Sequence, residues 1–170
     1  MKSHDSEATT ATLHAHIVKH LDLLRETMED IQAAQAHDIP LLGQTPRSAV
    51  LLASLLENYY TCAETIFIRI SQFFENNLAP DRWHKDLLEK MTLEIPHCRP
   101  RIISDQTHFD LAELMRFRHF KRYYFGTAYD WDRLHELFRR ANGLHGRLCA
   151  EVENFLDFLD NLQPHSTSST

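Results

Sequence analysis

The sequence predicts an all-α protein, folded as an up-and-down bundle of about five helices. Only four glycines occur in 170 residues, whereas turn-rich sheets need more of them. Apolar residues recur at helical spacing over long stretches, with short connections between the stretches and no convincing strand. Hydrophobic residues make up 43% of the chain and charged residues 25%, which is the composition of an ordinary globular protein.

The length predicts a single domain, because 170 residues bury one sizeable core and are too few for two. Residues 1–10 are polar without periodic apolar positions, and we expect a flexible tail there. Residues 11–162 form the predicted helical domain, and residues 163–170 a disordered tail. No apolar run approaches the roughly 20 residues of a membrane span, and the polar start lacks the apolar core of a secretion signal. We therefore expect a cytoplasmic protein without a membrane partner.

One apolar stripe predicts the first helix, of about six turns. Its members recur at steps of three and four residues: Leu13, Ile17, Leu21, Leu24, Met28 and Ile31. Pro40 and Gly43 should end this helix, since proline cannot continue it and glycine relieves the turn.

A second, long helix should begin at Thr45 and Pro46, a hydroxyl cap followed by proline at the first helical position. Its apolar residues occupy two adjacent stripes and continue to about Asn77. So broad a face predicts a central helix that contacts neighbours on two sides or a second subunit. Glu57 and Glu64 lie on or beside this face, where we expect each to be paired with a cation or capped by a hydroxyl.

A short third helix should follow Ala79-Pro80-Asp81. The segment TLEIPHCRPRIIS after it contains two prolines and resists assignment to a regular element. Its Arg99 and Arg101 either reach an anionic ligand or tie the loop to acids of the second helix.

Ser104 or Asp105 can cap a fourth helix, which has no breaker before Gly126. Asp130 then caps a fifth helix, with apolar residues from Trp131 to Leu162. Gly143 and Gly146 fall in the middle of this last helix: the two glycines favour a bend or the close approach of another backbone.

The most unusual stretch is MRFRHFKRYYFGTAYDWDRL, residues 115–134. Four of the 18 Lys and Arg residues fall within seven positions, and no acid interrupts the run between Glu113 and Asp130. The cations are Arg116, Arg118, Lys121 and Arg122, interleaved with His119 and with Phe117, Phe120, Tyr123, Tyr124 and Phe125. Basic groups bind phosphates and aromatic rings stack bases, so the stretch indicates single-stranded nucleic acid. The alternative is a helix whose aromatics pack inward while its cations are solvated or pair with acids elsewhere.

No cofactor or metal is expected. The three cysteines, Cys62, Cys98 and Cys149, are scattered and form no CxxC pair. Among twelve histidines, His16 and His20 share a helical face, but no acidic residue stands between them as it does in HExxH.

Four segments together resemble the HepT-like branch of the HEPN superfamily: LLENYYTCAETIF, WHKDLLEKM, RPRIIS and FRHFKRYYFGTAYDWDRL. The resemblance covers about residues 45–160. It implies a HEPN-like all-α domain that forms a two-fold homodimer. It also implies a toxin–antitoxin pair, in which the partner of the domain is a small nucleotidyltransferase.

Active members of this branch are metal-independent ribonucleases, with an arginine, a following polar residue and a histidine five positions after the arginine. The resemblance places these roles on Arg118, His119 and Tyr123, so that tyrosine stands at the histidine position. A tyrosine modified by the transferase in many members would fall on Phe125, and Tyr124 lies one place out of register.

The histidine position matters because RNA cleavage without a metal needs a group that takes the proton of the 2′-hydroxyl. Imidazole does this well, with a pKa of about 6.5, whereas a phenol is a poor base near neutral pH. His119 lies one turn before Tyr123 and can serve as the base, with Arg118 and Arg122 holding the phosphate. Alternatively, a two-fold axis brings His119 of each subunit toward Arg118 of the other.

The first hypothesis is therefore a HepT-like endoribonuclease toxin with catalytic Arg118, His119 and Tyr123. Its RNA or phosphate contacts would be Arg116, Lys121, Arg122 and Tyr124. The second is a HEPN dimer without hydrolysis that binds RNA or a nucleotidyltransferase. The third is a helical dimer in which these residues only pack. A net charge of -6 weighs mildly against a free-standing RNA binder.

Overall fold

The computed structural model describes the backbone of residues 2–75 and 83–162, and the side chains of residues 10–75 and 86–162. The described chain is helical apart from its connections and one isolated bridge between Ile95 and Arg99. The elements in order are α1 (Lys2–Ala33), a π-helical turn (Ala34–Asp38), α2 (Ile39–Leu42), α3 (Pro46–Phe74), α4 (Trp83–Lys90), α5 (Asp105–Tyr123) and α6 (Trp131–Leu162). The predicted all-α class is confirmed.

The predicted stripe of α1 is buried in full, from Leu13 at 5% exposed to Ile31 at 0%. The helical backbone begins at Lys2, although a flexible tail was expected over residues 1–10. Thr10 is already buried, so contact with the core starts before the first residue of the stripe. The predicted tail over 163–170 lies outside the described residues.

The predicted break over residues 39–43 falls at its last residue, because the helical path passes through Pro40 and continues to Leu42. A π-helical turn precedes the proline, and the amide of Ile39 donates to the carbonyl of Ala34, five residues back. Such a turn widens the helix where the ring of Pro40 would clash with a regular α-helical carbonyl, and proline has no amide to leave unpaired. The helical path ends at Gly43, whose φ of 74° few other residues adopt.

Helix α3 begins as predicted at the Thr45 cap. The Thr45 side chain accepts a hydrogen bond from the amide of Ser48 at 3.2 Å, and the Ser48 hydroxyl accepts one from the amide of Thr45 at 2.9 Å. This capping box satisfies two amides at the helix start. The helix ends at Phe74, and the expected extension to Asn77 lies outside the described residues.

Helix α3 is the central element of the bundle. It packs against α1, α4, α5 and α6, and its buried side chains include Leu52, Tyr59, Tyr60 and Phe67. The width of its apolar face is therefore accounted for by neighbours within one chain, which is one of the two outcomes expected from the sequence. A single core runs through all the packed helices.

Helix α5 begins after Ser104, whose hydroxyl caps it by accepting from the amide of Thr107 at 3.3 Å. The predicted continuation to Gly126 is wrong, since α5 ends at Tyr123 and Tyr124 is extended. The phenol of Tyr124 donates to the carbonyl of Ala128 at 3.1 Å, which folds the chain back toward α6.

Helix α6 is continuous from Trp131 to Leu162. Asp130 precedes it, and its carboxylate accepts from the amide of Asp132 at 2.9 Å, as a cap does. A Cβ added at Gly143 or Gly146 would meet no atom within 4 Å, so the expected close approach of another backbone is absent from the described chain. Leu162, expected on the apolar face, is half exposed.

Candidate functional site

The C-terminal half of α5 carries six of the seven predicted site residues, Tyr124 follows its last residue, and the helix distributes the six over different faces. At 100° per residue, Arg118 and Lys121 fall on the side that faces α3, continuing the row of buried residues Thr107, Leu111 and Leu114. His119 and Tyr123 fall on a side that faces away from α3.

Arg118 is held by two residues of α3. Its Nη2 lies 3.4 Å from the carboxylate of Glu64, which is 3% exposed, and its guanidinium lies 5.9 Å from the centre of the Tyr60 ring. Its Nη1 has no hydrogen-bond partner among the described residues. Burial and the adjacent Glu64 carboxylate raise the pKa of Tyr60, which therefore stays protonated. The Glu64 carboxylate and the Tyr60 ring thus orient the Arg118 guanidinium from the α3 side. The Arg118 side chain remains 17% exposed.

Lys121 forms a second contact of the same kind with α3. Its ammonium lies 2.5 Å from the carboxylate of Glu57, and both side chains are largely covered. Glu57 and Glu64 were expected to be paired with a cation or capped by a hydroxyl, and each has a cation beside it. Both cations belong to the stretch 115–134, for which phosphate binding was one interpretation. The other interpretation, that its cations pair with acids elsewhere in the chain, holds for Arg118 and Lys121.

His119 and Tyr123 are exposed and lie one helical turn apart. Tyr123 is 77% exposed. Arg122 is exposed and makes no ion pair within the described part of the chain. Arg118 and Arg122 are also one turn apart, but only Arg122 is presented openly to solvent. An imidazole, a phenol and a guanidinium are therefore accessible together at this helix end.

Arg116 opens a chain of alternating charges along the seam between α5 and α6. Arg116 contacts Glu113, whose second oxygen lies 2.9 Å from Arg133, and Arg133 contacts Glu136 at 2.6 Å. The chain continues through Arg140, Asp110 and Arg147. Hydrogen bonds from Arg133 and Arg116 lower the pKa of Glu113, so this carboxylate stays charged.

An aromatic cavity of about 500 Å³ lies where α5 ends and α6 begins. Phe120 and Tyr124 stack with their ring centres 4.9 Å apart, and Tyr129 meets Tyr124 edge-on at 5.3 Å. Phe117 lies beneath them at 5% exposed. The lining also includes Arg116, Asp130 and Arg133. Of the residues predicted to contact RNA, the cavity brings together Arg116 and Tyr124, and it leaves out Lys121 and Arg122.

The loop arginines have structural roles. Arg99 is 2% exposed, donates to Glu75 at the end of α3 and donates to the carbonyls of Leu93 and Lys90. Arg101 pairs with Asp105 at 3.1 Å. Of the two roles open to these residues, the tie to the second long helix is the one that Arg99 takes.

A polar cluster inside the bundle was not anticipated. The Tyr59 hydroxyl lies 3.1 Å from Nδ1 of His145, and the Cys149 thiol lies 3.7 Å from Nε2 of the same ring. Burial lowers the pKa of His145 and raises that of the Cys149 thiol, so both favour their neutral forms. An i, i+4 spacing of histidine and cysteine on α6 was the only trace of this cluster in the sequence.

The residues that most shape the site were missed as site residues or given a different role. Tyr60, Tyr129 and Arg133 stand in segments that carry the family resemblance but were given no role of their own. Asp130 was expected only as a helix cap, and Glu64 only as an acid that is paired or capped. Their proximity to α5 follows from the packing of α3 and α6, which residue spacing along one helix does not reveal.

Fold and site together define an all-helical bundle in which one helix ends in a basic and aromatic segment. A family model described as HepT-like protein matches residues 51–159, which is more than half of the chain. The chain therefore belongs to the HepT-like protein family. This membership agrees with a HEPN-type, ribonuclease-like function.

No curated protein and no solved structure matches this chain. Among the described helices, none combines the length and the apolar character that crossing a membrane requires.

Proposed function

We propose that this protein is a HepT-like endoribonuclease that cleaves RNA without a metal, as the toxin component of a toxin–antitoxin pair. The observation that carries the proposal is the placement of Arg118, fixed by Glu64 and Tyr60, one residue from the exposed His119. Family membership supplies the class of activity.

In this proposal Arg118 orients the scissile phosphate, which is bound either at its own subunit or at the partner subunit across the interface. A phosphate oxygen can reach only the exposed 17% of the Arg118 side chain, because Nη1, which has no partner in the described chain, is buried. Glu64 is a positioning residue, because it fixes the guanidinium and touches no substrate. Arg122, which is exposed and unpaired in the described structure, supplies the second positive charge.

His119 takes the proton of the 2′-hydroxyl, since it is the exposed imidazole of the segment. The phenol of Tyr123, one turn further along the helix, acts as the acid: it gives its proton to the departing 5′-oxygen as the 2′-oxygen attacks the phosphorus, and it regains a proton from solvent. Arg118 and His119 lie about 100° apart around α5. One subunit therefore offers the two groups to different sides, and a two-fold dimer would let each site combine Arg118 of one copy with His119 of the other.

Expression of the protein in a bacterial host tests the proposal. Growth should stop and RNA should decay, and both effects should disappear in Arg118→Ala and in His119→Ala. Arg47→Ala is the matched control, because Arg47 is an exposed arginine in the first turn of α3, outside the basic segment of α5. The cleavage proposal fails if both variants arrest growth as strongly as the natural chain does.

A second candidate function is favoured by two observations. Tyr123 stands at the position of the family histidine, and Arg116, Arg118 and Lys121 are each paired with an acid. A dimer with these features would bind RNA or a nucleotidyltransferase without cleaving RNA. It predicts a stable complex with a nucleotidyltransferase encoded beside it, together with intact RNA in expressing cells.

A further inference from the structure

We propose that the aromatic cavity between α5 and α6 binds a purine nucleotide. This inference names a substrate class for the proposed function, namely RNA with an unpaired purine. A free purine nucleotide offers the same base, sugar and phosphate, so the experiments below separate the two sources.

The walls of the cavity suit a flat ring system. Phe120 and Tyr124 are nearly parallel, at 23°, and form one wall, while Tyr129 stands edge-on to Tyr124 at 69°. Phe117 closes the floor, and the Phe120 ring remains 53% exposed. A base stacking on an exposed aromatic ring gains binding free energy whatever its sequence context. A purine covers more of this surface than a pyrimidine does.

The glycine at position 126 leaves room for the Tyr124 ring in this wall. Gly126 lies directly under the Tyr124 ring, and a Cβ there would come within 2.7 Å of the phenol oxygen and 2.8 Å of the ring. A side chain at this position would displace the outer end of the Tyr124 ring. The hydrogen bond from Tyr124 to Ala128 then fixes the ring from the other end.

The polar groups at the rim fit the remaining parts of a purine nucleotide. One carboxylate oxygen of Asp130 caps α6, and the other has no hydrogen bond within the described structure, so it can accept from the amino group of adenine or guanine. Arg116 is 59% exposed, and its pair with Glu113 lies at the surface. Exposed ion pairs contribute little to stability, so Arg116 can exchange Glu113 for a phosphate at small cost.

Calorimetric titration of the full chain with AMP, GMP and UMP tests the inference. AMP and GMP should bind saturably, and UMP, which lacks an amino group, should bind more weakly. Phe120→Ala should weaken AMP binding about tenfold. Asp130→Asn should reduce the preference for AMP over UMP to the part that stacking on Phe120 contributes.

Phe109→Ala is the matched control. Phe109 belongs to the same helix and is 54% exposed, but lies outside the cavity. It should leave AMP binding unchanged within about twofold. Absence of saturable AMP and GMP binding, or equal losses in the two phenylalanine variants, would overturn the inference. So would loss of self-association in Phe120→Ala without any nucleotide binding, since the cavity would then hold a protein side chain.

A short oligoadenylate separates the two sources. Tighter binding of the oligomer than of AMP, lost in Phe120→Ala, assigns the cavity to RNA, and equal binding assigns it to free nucleotides. A failure of the nucleotide-binding inference can be told apart from a failure of the cleavage proposal. AMP binding that persists while Arg118→Ala and His119→Ala still arrest growth would support the cavity and remove the ribonuclease.

Discussion

Arg99 shows how a single residue of the conspicuous RPRIIS segment serves the fold. Its guanidinium is buried and donates to Glu75 and to backbone carbonyls of the preceding loop. These side-chain hydrogen bonds therefore hold the loop in place, although it contains no helix or strand. A buried arginine with so many partners is costly to remove, because its carboxylate and carbonyl partners lose their donors.

Arg99→Met should lower the free energy of unfolding by about 2–3 kcal/mol, less than for a fully orphaned pair because Lys90 still contacts Glu75. Denaturant unfolding followed by circular dichroism measures the change. The control is Arg101→Met, two positions on, whose pair with Asp105 is exposed and should matter by less than about 0.5 kcal/mol. Equal losses in the two variants would contradict the structural role of Arg99.

Residue spacing predicted that Glu57 and Glu64 need a cation or a hydroxyl as partner, but it did not say which residue supplies it. That choice depends on the rotation of α5 against α3, which brings Arg118 and Lys121 over the two acids. The packing interpretation of the basic segment thus applies to some of its residues, and the ligand-binding interpretation is left to the others. Arg118 and Lys121 face the core, while His119, Arg122 and Tyr123 are presented outward.

Among the helices, boundaries set by local chemistry were predicted well. Thr45 and Ser104 cap α3 and α5 as their hydroxyls indicated. Two boundaries were missed for tertiary reasons. Pro40 is tolerated because a π-helical turn precedes it, and α5 ends early because Tyr124 stacks on Phe120 and closes over Gly126. Neither event leaves a local signal in the sequence.

Thr45→Ala should destabilise the protein by about 1 kcal/mol, since it removes one half of the capping box of the central helix. Thermal or urea unfolding measures the loss. Thr45→Ser keeps the hydroxyl and should restore stability to within a few tenths of a kcal/mol. An equally large loss in Thr45→Ser would show that packing of the methyl group, rather than the cap, is what Thr45 contributes.

For the whole molecule, the composition predicted the all-α class and the periodicity predicted the core of α1 and α3. The wide face of α3 does not by itself require a second subunit, because α1, α4, α5 and α6 cover it. The support for a dimer lies at the end of α5 instead. Tyr123 and Phe125 are 77% and 95% exposed there, beside His119.

We expect a mass of twice 19.9 kDa in light scattering after size exclusion. Tyr123→Asp should shift the protein toward the monomer, because a buried carboxylate without a partner opposes association. Leu93→Asp is the control, since Leu93 is 51% exposed in the loop that Arg99 ties to the C-terminal end of α3, away from the end of α5. A monomer in the natural chain, or a Tyr123→Asp variant that remains dimeric, would contradict a two-fold interface at this helix end.

The pairing of Arg116, Arg118 and Lys121 with acids has a consequence for any polyanion that approaches α5. Cations that are already paired with carboxylates displace few of the counterions condensed on a nucleic acid. The binding of such a polyanion to α5 should therefore depend only weakly on ionic strength. Only Arg122 stands unmatched among the four cations of the described segment. Selectivity at this end of the bundle would then come from ring stacking and directed hydrogen bonds, which physiological salt leaves nearly intact.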